Sequence, residues 1–282
     1  EKLAGDEKKN FDTDRLENPY SDSRILFGDP NHEVKRVLVG IDMEVPEVLL
    51  ADRLSERGTK IDLILAHHPE GKALATLSNV MGLQADVWAS QGVPINVGDA
   101  LMGKRSGEVF RSLQPVNHNR AVDAARLLGF AFMCIHTPAD NLVTSFLQKK
   151  IDKTNPYVVD DVMKLLRKIP EYKHASENGA APFVLVGNGD ARAGKVLVDM
   201  TGGTQGPEEA LEKLASAGVG TLVGMHLREN LRKKAEANQL NVVLAGHIAS
   251  DAVGFNLFLD EIEGEGVEII ACSGFRRVSR RS

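Results

Sequence analysis

With 282 residues, 43% of them hydrophobic and 26% charged, the chain has material for one large domain or two smaller ones and for a substantial core. A net charge of −5 and the lack of aromatics interleaved with basic residues exclude a protein held to nucleic acid by phosphate contacts. No apolar run approaches the ~18 residues of a membrane span and no charged-then-apolar signal peptide opens the chain, so the expected location is cytoplasmic, with no membrane partner.

Residues 1–24 are polar and weakly periodic and read as an arm outside any core. Residues 34–42 form a strand ending in Asp42, and a helix from 46 to 57 closes on Gly58. The apolar residues 61–66 follow, a strand buried on both faces, so the unit is a right-handed βαβ with parallel strands. That second strand stops at once in His67-His68-Pro69. Helices are expected at 73–89, 98–113 and 118–128, with Asn117 as N-cap and Gly129 as stop. A strand over 130–135 runs into His136-Thr-Pro-Ala-Asp-Asn141, helical periodicity returns at 142–152 and 159–168, and residues 171–180 read as a linker.

The last hundred residues open with two strands, 183–186 and 195–200, joined as a hairpin by the glycine-rich stretch 187–194. That stretch fails as a dinucleotide loop because a strand rather than a helix follows it. Helices at 207–217, 227–238 and 249–260 then alternate with strands at 220–225, 241–245 and 267–271. The expected fold is α/β: two similar lobes with mostly parallel sheets, 25–170 and 181–282, forming one structural unit with the site in the cleft between them. Cys134 and Cys272 lie far apart in apolar runs and read as buried free thiols.

In open α/β sheets ligands collect at the carboxyl ends of strands. His67 and His68 stand at such an end. Neighbouring strand residues point to opposite faces, so the pair suits two metal ions better than chelation of one. His247 and Asp251 are four apart and share a face if a helix starts at His247. His136 and Asp140 have the same spacing. The assembled ligand candidates are His67, His68, Asp140, His247 and Asp251. Nitrogen and oxygen donors without thiolate suit two divalent ions drawn from Zn, Fe, Mn, Co or Ni. His226 and His136 are candidates for a general acid or an orienting group, and Asp42 for a residue behind the ligands. Gly202, Gly203 and Thr204, between a strand and a helix, are candidates for cradling a substrate phosphate or carboxylate. His32, His118 and His174 sit in polar segments and read as surface residues.

The opening Val-Lys-Arg-Val-Leu-Val-Gly-Ile-Asp, the strand into His-His-Pro, the His-Thr-x-x-Asp and the late Gly-His-x-x-Ser-Asp together resemble the dinuclear-metal proteins called GTP cyclohydrolase I type 2 homologues, of the Nif-three-like superfamily. The likeness runs in order from residue 27 to 271. It implies a metal pair held by His67, His68, Asp140, His247 and Asp251 between two α/β lobes, and a toroidal homo-oligomer, often a hexamer. Two features depart from the family pattern. Asp251 stands where Glu is usual, and the stretch between His68 and Asp140 is longer than usual, so that 73–128 reads as an elaboration. The expected function is that of a metal-dependent hydrolase acting through activated water on a nucleotide or another phosphorylated or cyclic-amide small molecule. The alternatives are a non-catalytic metal-binding regulatory or scaffold oligomer and a metal-free nucleotide-binding α/β protein.

Overall fold

The computed structural model describes residues 5–9, 11–263 and 266–281. A short helix, α1 (Gly5–Lys9), precedes strand β1 (Arg24–Phe27). Then come β2 (Arg36–Gly40), α2 (Val45–Glu56) and β3 (Leu63–Ala66). The stretch expected as one helix over 73–89 is broken into α3 (Gly71–Ala75), a 3-10 turn and α4 (Leu83–Gln91). It continues through α5 (Ile95–Leu113) and α6 (Arg120–Leu128) to β4 (Ala131–Cys134). Leu38, Ile64 and Phe132 stand side by side in β2, β3 and β4, which are parallel, and β1 closes that edge antiparallel to β4.

Three helices follow: α7 (Thr137–Thr154), α8 (Val159–Leu166) and α9 (Pro170–Glu177). The second sheet is built from β5 (Phe183–Val186), β6 (Lys195–Val198), β7 (Val219–Gly224) and β8 (Asn241–Leu244). Between its parallel strands run α10 (Glu209–Ser216) and α11 (Glu229–Ala237). A long helix, α12 (His247–Glu263), leads to β9 (Glu268–Ala271). The first sheet has the order β1-β4-β3-β2-β9 and the second β5-β8-β7-β6. Without β9 the two orders correspond strand for strand, each with one antiparallel edge.

Four sequence expectations are corrected. Strand β9 does not finish the second sheet; it pairs parallel with β2 of the first. The cause is α12, whose 17 residues span about 25 Å and carry the chain back across the molecule to the open β2 edge. Residues 187–194 make no hairpin, because β5 pairs with β8 and lies at the opposite edge from β6. The carbonyls of Gly189 and Ala191 instead accept from the backbone N–H groups of Asp160 and Val159, satisfying the start of α8. Residues 171–180 are no linker but mostly α9, and Glu171 and Tyr172 are buried. In the expected arm, Ser21, Asp22 and Arg24 are buried, with Arg24 ion-paired to Asp12 and Asp14.

Helices α7 and α12 are packed between the two sheets. Val143, Leu147 and Ile151 of α7 join the second sheet's Val196, Val198 and Val243, while Phe255 and Leu259 of α12 join Val37, Val39 and Leu65 of the first. Each such fully buried side chain is worth about 1.5–3 kcal/mol, so this layer fixes the two sheets on one another. Lobe membership therefore does not follow chain order. Met81, Ala85, Trp88, Met102 and Val109 of the elaboration pack with Leu197, Leu214 and Leu222 of the second lobe, as does α8.

The α7–α12 contact is closest at Gly254. A Cβ there would lie 2.1 Å from the carbonyl oxygen of Ala139, one residue before Asp140. Gly254→Ala is expected to push the helices apart, to cost a few kcal/mol in urea unfolding, and to lower the metal content of the purified protein.

Candidate metal centre

The site is built where β3, β4, β7 and β8 end. β3 remains paired beyond its last residue, since the N–H groups of His67 and His68 donate to the carbonyls of Gly40 and Ile41. The two rings lie 5.2 Å apart, His67 buried and His68 partly exposed. α7 and α12 each begin at the carboxyl end of a strand, α7 after His136 with Pro138 in its first turn, and α12 at His247. Asp140 thus sits in the first turn of α7, where the free N–H groups favour negative charge, and Asp251 lies four residues into the neighbouring α12.

His67 Nδ1 lies 3.0 Å from the Ile135 carbonyl and donates to it, which aims Nε2 at the carboxylates. Nε2 is 3.5 Å from Asp140 Oδ1 and 3.5 Å from Asp251 Oδ1. On the other side of the same carboxylate, Asp251 Oδ2 is 3.4 Å from His68 Nε2 and 3.5 Å from His247 Nε2. His67, Asp140 and Asp251 thus form one group able to hold an ion, and His68, His247 and Asp251 another. Asp251 is shared between them.

These separations are too long for good hydrogen bonds. Indeed His67 Nε2, Asp140 Oδ1 and both Asp251 oxygens are buried with no hydrogen-bond partner. Leaving such atoms unpaired costs about 1–3 kcal/mol each, more when charged. Ligand atoms about 2.1 Å from a tetrahedral ion lie about 3.4 Å from one another, which is the spacing found here. The residues fit a divalent cation, and the donor set is nitrogen and oxygen only: Cys134 is buried away from the centre with its thiol directed to the Asp22 carbonyl, and Cys272 lies against Met43.

Without an ion a proton takes part of that role. Burial works against charging His67, but Asp251 and Asp140 outweigh it and push its pKa up to about 10. Burial likewise opposes ionisation of Asp251, and His67, His68 and His247 hold its carboxyl far below the usual range. His247 and His226 are shifted down, first by burial, and are neutral imidazoles at pH 7.

Two carboxylates stand behind the rings. Asp42 Oδ1 is 2.6 Å from His68 Nδ1. Asp22 Oδ2 is 2.8 Å from His136 Nδ1 and also accepts from the Thr137 hydroxyl. Burial raises the Asp22 carboxyl, but the His136 contact outweighs it and holds it low. Asp22 was missed in the sequence because the segment around it has no periodicity; only the buried cap it makes on β4's end reveals it. His136 itself lies among the candidate ligands, its ring 5.1 Å from that of His67 and its Nε2 3.7 Å from Asp140 Oδ2. Replacing Asp42 or Asp22 by Asn is expected to weaken metal binding by roughly 10–100-fold, measured by competition with a chromophoric chelator.

His226 lies at the rim, its ring 4.7 Å from that of His247 and its Nδ1 2.8 Å from the Gln205 amide nitrogen. The 201–206 loop is pinned down: the Gln84 amide of α4 donates to the carbonyls of Gly202 and Thr204. Gly202 and Gly203 have φ of 84° and 85°, and a Cβ at Gly202 would meet Gln84 at 2.7 Å. Gly203 and Thr204 line a cavity that reaches the ligand residues, and Gly202 is not part of that lining.

No family model and no curated protein matches the chain. Among solved structures it is similar to a NIF3 superfamily protein from Sphaerobacter thermophilus, with a TM-score of 0.80 and 27% identity over 92% of this chain and 93% of that one. It shares its fold with reduced HcgD from Methanocaldococcus jannaschii, with a TM-score of 0.57 and 14% identity over 91% of each chain. A protein from Thermus thermophilus, TTHA1606, has the fold at a TM-score of 0.50 and 14% identity, over 92% of this chain and 90% of that one.

Proposed function

The chain belongs to the NIF3-like superfamily, and from that premise we propose that it holds two divalent ions and is a metal-dependent hydrolase of a small molecule. The observation that carries the reading is the shared carboxylate: Asp251 turns one unpaired oxygen to His67, which also faces Asp140, and the other to His68 and His247. His67, Asp140 and Asp251 would hold one ion and His68, His247 and Asp251 the other, with His136 next to the first. When bound, such a pair activates water near neutral pH and polarises an electrophile.

The chain's own groups supply the rest. His136, held by Asp22, keeps its Nε2 turned toward Asp140. His226 is neutral, accessible and close to His247, and serves as the proton acceptor or donor for the reacting group. Gly203 and Thr204 wall the substrate space, while Gly202 holds the loop in place through Gln84. The substrate classes that suit this chemistry are a nucleotide, another phosphorylated compound or a cyclic amide. The assembly is a homo-oligomer, a hexamer by family resemblance, located in the cytoplasm.

The test is turnover by protein loaded in turn with Zn, Mn, Fe, Co and Ni, on a panel of nucleotides, phosphoesters and cyclic amides, beside a His67→Ala control. Hydrolysis above that control supports the reading. A metal-loaded protein that turns over none of them reduces it to the other one, a metal-binding regulatory or scaffold oligomer.

A further inference from the structure

A cavity of about 110 Å³ is lined by the ligand residues His247 and Asp251 and, deeper in the second lobe, by Trp88, Leu211, Leu214, Leu222, Leu231 and Val242. Its apolar part belongs to the interior of that lobe, between the sheet and the helices packed on it. By comparison, an engineered apolar cavity of about 150 Å³ takes up benzene. The lining contains no lysine or arginine among the described residues. Arg105 and Arg228, the cations nearest the 201–206 loop, are turned to Gln205, donating to its carbonyl and to its side-chain oxygen.

One polar lining residue remains unexplained by the metal centre. Asp199 follows β6 at its carboxyl end, and its side chain has no hydrogen bond or salt bridge among the described residues. That carboxylate is part-buried and open to the cavity where its polar end, with Thr201, Thr204 and Gln205, meets the apolar part, so it takes its hydrogen bonds from whatever occupies that space.

We propose that this cavity binds a compact amine or amide whose apolar end is no larger than a benzene ring and whose N–H group hydrogen-bonds to Asp199. The site deepens the hydrolase reading by naming its substrate class, and rests on that reading for the reaction though not for the binding. The pocket itself gives a polyphosphate no lysine or arginine, so that charge would have to be met by the ions at the metal centre rather than by the pocket. Burial pushes the Asp199 carboxyl up to about 6, so that above neutral pH it stands as an acceptor without a partner.

Trp88 is the only tryptophan of the chain, which makes its emission a direct reporter of occupancy. The experiment titrates purified protein above neutral pH with isopentylamine and isovaleramide, and separately with GTP and inorganic phosphate, while metal content is measured on the same samples. A saturable change with the amine and the amide is expected, with little response to GTP or phosphate. Asp199→Asn is expected to weaken amine binding roughly tenfold or more. Ala210→Leu, which fills the lining from α10, is expected to abolish the response and decides the matter if the Asp199 variant does not fold. No saturable response in the wild type, unchanged affinity in both variants, or a stronger response to GTP would overturn the proposal. A response in protein that takes up no metal keeps the cavity and removes the metal reading, and metal-loaded protein without a response does the reverse.

Discussion

Asp251→Ala should take the metal content of the purified protein from about two equivalents to nearly none, whereas His247→Ala should remove only about one. The asymmetry follows from geometry. Asp251 Oδ1 faces His67 and its Oδ2 faces His68 and His247, so a single truncation takes a ligand from both groups. His247 belongs to one group only. Plasma mass spectrometry on protein purified without chelator, for the wild type and both variants, measures this directly. Equal losses in the two variants would show that Asp251 is not shared. Full metal retention in Asp251→Ala would place the ions elsewhere. Asp251→Glu separates the bridge from mere charge: a variant that binds more tightly than the wild type would show that the shorter arm limits one of the two ions.

Removing the ions should destabilise the fold, and the size of the loss should depend on pH. A ligand bound only to the folded state stabilises by RT ln(1 + [L]/Kd), about 4 kcal/mol at a thousandfold excess over Kd. In the stripped protein the proton on His67 supplies part of the missing positive charge. The His67 pKa is raised from 6.5 to about 10 in the folded chain. Its stabilisation is therefore complete below about pH 6.5 and is lost as the pH climbs through about 10, by a few kcal/mol at most. Thermal unfolding of chelator-treated protein should show its melting temperature falling across that window, while metal-loaded protein lacks the slope because the ion has displaced the proton. The same exchange means that metal uptake releases protons and tightens as pH rises. A stripped protein whose stability climbs through the window would refute the assignment of that proton.

The loop between Thr201 and Gly206 shows how far a local motif reaches. Glycines between a strand and a helix suggested an anion cradle, yet Gly202 is spent on contact with Gln84, some 118 positions earlier in the chain. Nothing within the loop announces that partner. Asp22 is the opposite case, a residue in an unpatterned segment that becomes buried beneath His136 because β1 lies along β4.

What the sequence determined by itself was local in its physics. Apolar runs of four to six residues stopped by polar ones gave the strands, and glycine and proline punctuation gave most helix ends. The adjacency of strand end and helix start placed His67, His68, Asp140, His247 and Asp251 at comparable positions of the two halves. Only the tertiary structure decided that α7 and α12 lie side by side, so that Asp140 and Asp251 converge on His67. Only it decided that β9 returns to the first sheet, that residues 171–177 are helical, and that the elaboration closes over the second lobe. These outcomes depend on which apolar surfaces bury one another across a hundred or more residues. Hydrophobic burial is non-directional and carries no partner label in the sequence.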